Sequence, residues 1–308
     1  MSKPIMPAPL HLIIPAATPL ETGHLPAHLA ALLRLLKPTQ RIDCDDDCPA
    51  MPCELALARL NQLPDTPGFT PWAAFESGTM GEPCAWVNLS HWQIGMGAVT
   101  MTAPEALSLD EATTQQFMVA MAPYFAEDGI TLAYWQPGVL LAKGETFRSL
   151  RCVSIERVVG QNIRDWQALG GTPEESKLRR LQNEMQMLLY TLPANDEREA
   201  KGLPPINSFW VTGAGVLDAA KPSAAGVQVE TRLRLAGADP VARAKAWAEV
   251  DANACHRLAD QVRSGMPASL TLCGDRAAQT FELVKQSFAQ KIMNKFSHSS
   301  ISGIISSL

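Results

Sequence analysis

The densest run of chemically capable side chains lies between Asn195 and Asn207, where the chain reads NDEREAKGLPPIN. Arg198 could hold a carboxylate or phosphate through two parallel N–H bonds, and Asn195 and Asn207 could order the loops around it. The same residues in a solvated loop would look no different. Directly after them comes NSFWVTGAG, a strand-forming run that carries Trp210 and ends in Gly213-Ala-Gly215. A phosphate cradle needs backbone N–H groups pointing inward with a helix start behind them. Here the third glycine of a dinucleotide fingerprint is absent, and so is the Lys-Ser/Thr pair of a phosphate loop. The two glycines therefore read first as a structural turn, one that also shapes a pocket wall beside Arg198.

Two further residues are candidates for acid–base work. His91 sits on an expected strand between Trp86 and Trp92, where a hydrogen-bonded core histidine is the competing reading. Glu184 lies beside an apolar helix stripe, where burial could raise its pKa, but Arg180 four residues earlier offers an ordinary ion pair. No G-x-S-x-G elbow is present, and no Cys or Ser stands in a local signature with a His. Cys44, Cys48 and Cys53 crowd around Asp45, Asp46 and Asp47, with His24 and His28 upstream. Thiolate and imidazole suit zinc, but the spacing fits none of the paired C-x-x-C patterns, so an acidic loop with incidental cysteines is the favoured reading. No metal or cofactor is assigned.

The elements that must position these residues follow from periodicity. LHLII (10–14) reads as a buried strand, residues 25–36 as an apolar-faced helix closed by Pro38, and 39–53 as an acidic proline-containing loop before a helix in CELALARLNQL. Residues 84–104 hold two strand-rich runs around Gly95 and Gly97. ITLAYWQPGVLLAKG reads as a second hairpin at Pro137-Gly138. Capping-box spacing at Ser108–Glu111 and again at Thr172–Glu175 opens two helices, the second with Leu178, Leu181, Met185, Leu188 and Leu189 on one face. Residues 226–235 alternate as a strand, 240–263 read as a helix, ASLTLCG as a strand, and FELVKQSFAQKIMNKF as a closing helix whose three lysines face solvent. Hairpins within a βαββ rhythm argue for a mixed α/β architecture, a mixed sheet flanked by helices, with α+β as the alternative. The organisation expected is one domain over 1–308, with a subdivision into 1–80 and 81–308 as the variant.

Composition bounds the function. The chain has 308 residues, 46% of them apolar, enough for a sizeable core, and a formal net charge of −5 that gives no global attraction for nucleic acid or anionic membrane. The proline-broken N-terminal run fits neither a signal peptide nor a membrane span. Seven scattered cysteines are no disulfide framework, which fits a cytoplasmic protein.

The stretch NEMQMLLYTLPANDEREAKGLPPINSFWVTGAG resembles the RpfE-type regulatory proteins of proteobacteria, whose relatives are often labelled cofactor-independent phosphoglycerate mutases. The matching positions are Asn183, Glu184, Gln186, Met187, Pro193, Asn195, Arg198, Glu199, Gly202, Asn207, Ser208, Trp210, Gly213 and Gly215. The chain departs from the family pattern at Tyr190 and Leu192, where histidines are expected, and at Thr212. The mutases use two metal ions held by Asp and His, the first Asp directly after the opening strand. Here that strand ends in IIPAAT. The resemblance therefore implies a non-catalytic regulatory or ligand-binding protein, with Asn195, Arg198, Asn207, Trp210, Gly213 and Gly215 around a small phosphorylated or carboxylated ligand. The alternative is an enzyme acting on a phosphorylated metabolite through His91 or Glu184. A third reading, from the family's association with a RecJ-type exonuclease, is a protein partner of a DNA-repair nuclease without direct nucleic-acid contact.

Overall fold

The run LHLII forms the first strand because its apolar side chains can face helices on both sides of a sheet, and the rest of the architecture grows outward from it. The computed structural model describes residues 10–18, 25–167, 171–221, 223–283 and 307–308. The first half of the chain runs β1 (Leu10–Ile14), α1 (Ala27–Leu35), β2 (Lys37–Asp43), α2 (Pro52–Leu60), α3 (Trp72–Ser77), β3 (Cys84–Ser90), β4 (Trp92–Ile94), β5 (Val99–Met101), α4 (Glu111–Glu127), β6 (Thr131–Gln136) and β7 (Val139–Lys143). Then follow α5 (Ile155–Val158), α6 (Ile163–Gln167), α7 (Pro173–Tyr190), α8 (Pro193–Ala200), β8 (Ser208–Gly215), β9 (Val227–Val229), α9 (Arg232–Leu235), α10 (Pro240–Val250), α11 (His256–Arg263), β10 (Ala268–Cys273) and β11 (Ala277–Glu282). The chain divides into two compact units, one from the segments 1–61 and 223–308, the other from 62–222.

In the first unit the strand order is β2-β11-β10-β1-β9, parallel across β9, β1 and β10 and antiparallel from β10 to β2. Leu12 and Ile14 face α1, α10 and α11, whereas Ile13 packs with Ile42, Cys273 and α2 on the other face. That alternation makes a helix–sheet–helix sandwich, the mixed α/β class expected. Asp251 starts a single π-helical turn between α10 and α11, and its carboxylate accepts from His28 N, Leu29 N and His28 Nδ1, capping α1.

The second unit carries an antiparallel sheet in the order β6-β7-β3-β8, and a separate β4–β5 hairpin. Ala85, Val87 and Leu89 of β3 and Phe209 and Val211 of β8 meet Phe117, Met121 and Phe125 of α4 and Leu181, Met185 and Leu189 of α7 in one core. The second capping box is present as expected, Thr172 Oγ1 accepting from Glu175 N and Glu175 returning to Thr172 N.

Several local expectations change. The N-cap of α4 is Asp110, which accepts from Thr113 N, and not Ser108, which ends the preceding 3-10 turn with a φ of 47°. The first five residues of the loop expected over 39–53 belong to β2 (Lys37–Asp43), an edge strand in which only Ile42 is buried. The strand expected over 226–235 stops at Val229, where Glu230 turns inward and α9 begins. Phe281 and Glu282, the first two residues of the expected closing helix, end β11 (Ala277–Glu282), and most of the remainder, lysines included, lies outside the described residues, as does His24. Among the described residues no helix is long and apolar enough to cross a membrane.

All seven cysteines are buried free thiols. Burial pushes the Cys255 and Cys273 thiols up to about 12, a direction reinforced at Cys255 by Asp251 and Glu230. At pH 8 these two are protonated and poorly nucleophilic. The native protein should therefore resist iodoacetamide, and mass spectrometry should find Cys255 and Cys273 modified only after denaturant is added.

Candidate functional site

The polar residues singled out by sequence converge on one short segment of backbone. Pro204 and Pro205 have no N–H to give to a ladder, so the extended chain entering β8 must satisfy its carbonyls with side chains. Arg198 Nε donates to Pro204 O at 2.9 Å, and its Nη2 donates to Leu107 O. His91 Nδ1 meets Pro205 O at 2.6 Å, and because a carbonyl only accepts, the proton is on Nδ1. Asn195 Oδ1 accepts from Ile206 N at 2.7 Å while its Nδ2 donates to Ile206 O and Leu189 O at 2.8 and 2.7 Å. Asn207 pairs with both backbone groups of Trp92, accepting from its N at 2.8 Å and donating to its O at 2.9 Å. The structure brings Asn195, Arg198, Asn207 and His91 together around residues 204–207. Arg198 and Asn195 are buried there, and desolvation lowers the Arg198 pKa from its ordinary value, an effect that the charge of Asp110 opposes.

Glu184 stands apart from this group. Its carboxylate pairs with Arg180 at 3.3 Å, the ion pair the i,i+4 spacing suggests, and Arg180 also grips Asp128 through both carboxylate oxygens. Gly213 and Gly215 form no loop turn: they lie within β8, where the register against β3 shifts between Cys84 and Trp86. A Cβ on Gly213 would stand 2.9 Å from Trp72 Cβ, and one on Gly215 would stand 2.7 Å from Pro71 Cβ. These glycines let the start of α3 lie directly against the bulged strand.

Trp210 leads elsewhere. Its indole N–H donates to Val153 O at 2.9 Å, and its ring lines a cleft of about 90 Å³ within the second unit. The walls come from four separated segments: Leu150, Arg151, Cys152 and Val153; Trp166 and Gln167 of α6; Glu175, Leu178, Arg179 and Gln182 of α7; Trp210 and Val211 of β8. The floor polar group is fixed, since Gln182 donates to Phe209 O at 3.1 Å and accepts from Gln167 Nε2 at 3.0 Å. Glu175 is committed to the cap of α7, and Arg179 reaches Gln167 O and Ser176 Oγ. Arg151, half-buried, makes no side-chain hydrogen bond or ion pair with any described residue. An arginine without an ion-pair partner in a cleft that two tryptophans also line can take a flat, negatively charged molecule, with the rings supplying apolar contact and the guanidinium a bidentate hold.

Arg151 carries no sequence signal, because it sits in an irregular stretch and gains its meaning from residues up to sixty positions away. Gln182 carries no sequence signal beyond being a polar residue of α7 next to Leu181. The cysteines of the acidic loop pack into the core against Ile13 and Cys273, and among the described residues no three His, Cys, Asp or Glu side chains form a metal-binding group.

No family model matches the chain, and no curated protein matches it. Among solved structures it is similar to a cofactor-independent phosphoglycerate mutase from Thermoplasma acidophilum, with 14% identity over 97% of this chain and 95% of that one and a TM-score of 0.34. It is also similar to the PH0037 protein from Pyrococcus horikoshii, with 13% identity over 91% of this chain and 88% of that one and a TM-score of 0.42.

Proposed function

We propose that this protein is a non-catalytic binding protein, a sensor for a small carboxylated or phosphorylated metabolite held in the Arg151 cleft. The observation that carries the reading is the unpaired Arg151, which lines the same cleft as Trp166 and Trp210. A half-buried cation without a partner is costly, and an anionic ligand supplies the missing charge. The groups that could do acid–base chemistry are engaged elsewhere: Glu184 with Arg180, and His91 with Pro205 O. A regulatory role agrees with the RpfE-type resemblance of residues 183–215. Seven buried free thiols fit a reducing compartment, and we place the protein in the cytoplasm.

The test is thermal or urea stability of the purified protein with benzoate, indole-3-acetate, phenyl phosphate and a panel of carboxylated and phosphorylated metabolites. A ligand at a hundred times its dissociation constant adds about 2.7 kcal/mol. That gain should be absent in Arg151→Ala and persist in Arg180→Ala, whose charge lies outside the cleft. Equal stabilisation of the parent and Arg151→Ala, or none from any compound, would overturn the assignment. Metal-dependent turnover of a phosphorylated metabolite would replace it with the enzyme reading.

A further inference from the structure

The other face of the second unit's sheet, opposite the α4–α7 core, carries a different charge pattern. Strand alternation that sends Ala85, Val87 and Leu89 into the core sends Trp86 and Asn88 to this face, where Trp86 lies opposite Leu141 of β7 and Thr212 of β8. Trp135, on the edge strand β6, packs its ring on Trp86 with centroids 4.9 Å apart and planes tilted by 33°. Although Trp86 is buried, Trp135 is 41% exposed. Glu76 of α3 accepts the Trp86 indole N–H at 2.9 Å through Oε2. No Lys, Arg or His pairs with Glu76 among the described residues. Lys143, two residues beyond Leu141 on the same face, is already paired with Glu82 at 2.7 Å. Glu76 is an exposed residue, and desolvation beside the indole raises its pKa, with the Trp86 hydrogen bond opposing that shift.

We infer that Trp135, Trp86 and Glu76 form a surface site for the arginine side chain of a partner polypeptide. Both halves of the site select the same group. An indole face attracts a cation, and a planar guanidinium stacks on it with less hydration to lose than an ammonium. A carboxylate at the ring edge takes the guanidinium fork. The openness of Trp135 selects a side chain anchored by its own backbone over a free metabolite, which this surface would not enclose. The half-buried Val139 and Leu141 on the same face offer apolar contact to the flanking residues of such a segment. The net charge of −5 favours the approach of a basic segment.

The experiment is an NMR titration that follows the indole N–H signals of Trp86 and Trp135. The probes are acetyl-Gly-Arg-Gly-amide and the same peptide with lysine or citrulline in the centre, alongside free arginine. The arginine peptide should shift both signals saturably and bind several-fold more tightly than the lysine peptide, with no saturation by citrulline. Glu76→Gln keeps an acceptor for the Trp86 N–H, so the fold is retained, and it should weaken the arginine peptide about tenfold, as should Trp135→Ala. Equal binding of the citrulline peptide, or unchanged affinity in Glu76→Gln, would sink the proposal. So would an absence of saturation at about 10 mM arginine peptide. Free arginine binding as tightly as the peptide would overturn the polypeptide assignment. None of these outcomes depends on Arg151 or its cleft.

Discussion

Asn195→Ala should cost the second unit about 3–5 kcal/mol of stability, measured as a lower urea midpoint at unchanged slope. One carboxamide makes three hydrogen bonds in the interior, accepting from Ile206 N and donating to Ile206 O and Leu189 O. Alanine leaves the N–H and C=O of Ile206 buried without partners, because Ile206 is fully enclosed, while Leu189 O keeps its bond from Leu192 N. Each unsatisfied group costs about 1–3 kcal/mol, and a space the size of an amide is left as well. Asn195→Asp should be no milder near neutral pH. It keeps an acceptor for Ile206 N but turns a negative oxygen toward two carbonyl oxygens, where only a donor is tolerated. A loss below about 1 kcal/mol would mean that the segment 204–207 holds its course without the clamp.

The same clamp shows how far the sequence could be read. Elements announced by local signals are legible: the Thr172–Glu175 box and its leucine stripe produce α7, and Pro137-Gly138 turns β6 into β7. Elements that owe their existence to a neighbour are not. KPTQRID has no strand pattern of its own and is extended because β11 pairs with it. GVQVETRLRL has an alternating pattern over ten residues, yet it is a strand only where His11 to Ile13 lie alongside. Site residues divide in the same way. The polarity of Asn195, Arg198 and Asn207 was evident, but a hydrogen-bonding side chain reads alike whether it meets a ligand or a prolyl carbonyl. Only tertiary structure shows that Pro204, Ile206 and Trp92 occupy these groups. Arg151 has the opposite history: an ordinary residue in the sequence, it becomes distinctive because folding places it in a cleft lined by two tryptophans and leaves it without an ion-pair partner.

Gly213→Ala should destabilise the second unit by about 2–5 kcal/mol, and the reason separates two explanations of the glycine pair. If the backbone there were kept bare for a phosphate, an added methyl group would block the ligand and cost only the strain of a positive φ, about 1–2 kcal/mol. The structure instead fills that space with protein: the methyl would meet Trp72 Cβ at 2.9 Å, Ala73 N at 3.1 Å and Trp86 Cδ1 at 3.4 Å. Two of these contacts belong to α3, whose backbone and Cβ cannot rotate away, so strand and helix must separate at a cost of about 1–3 kcal/mol. A φ of +62° adds about 1–2 kcal/mol for any residue with a Cβ. Gly202→Ala isolates the second contribution, since Gly202 has a φ of +70° but nothing within 4 Å of the position its Cβ would take. The expected order is therefore a small loss at Gly202 and a loss larger by about 1–3 kcal/mol at Gly213. Equal losses at the two positions would show that α3 yields to the methyl group, and the close approach of α3 to β8 would no longer account for the glycine.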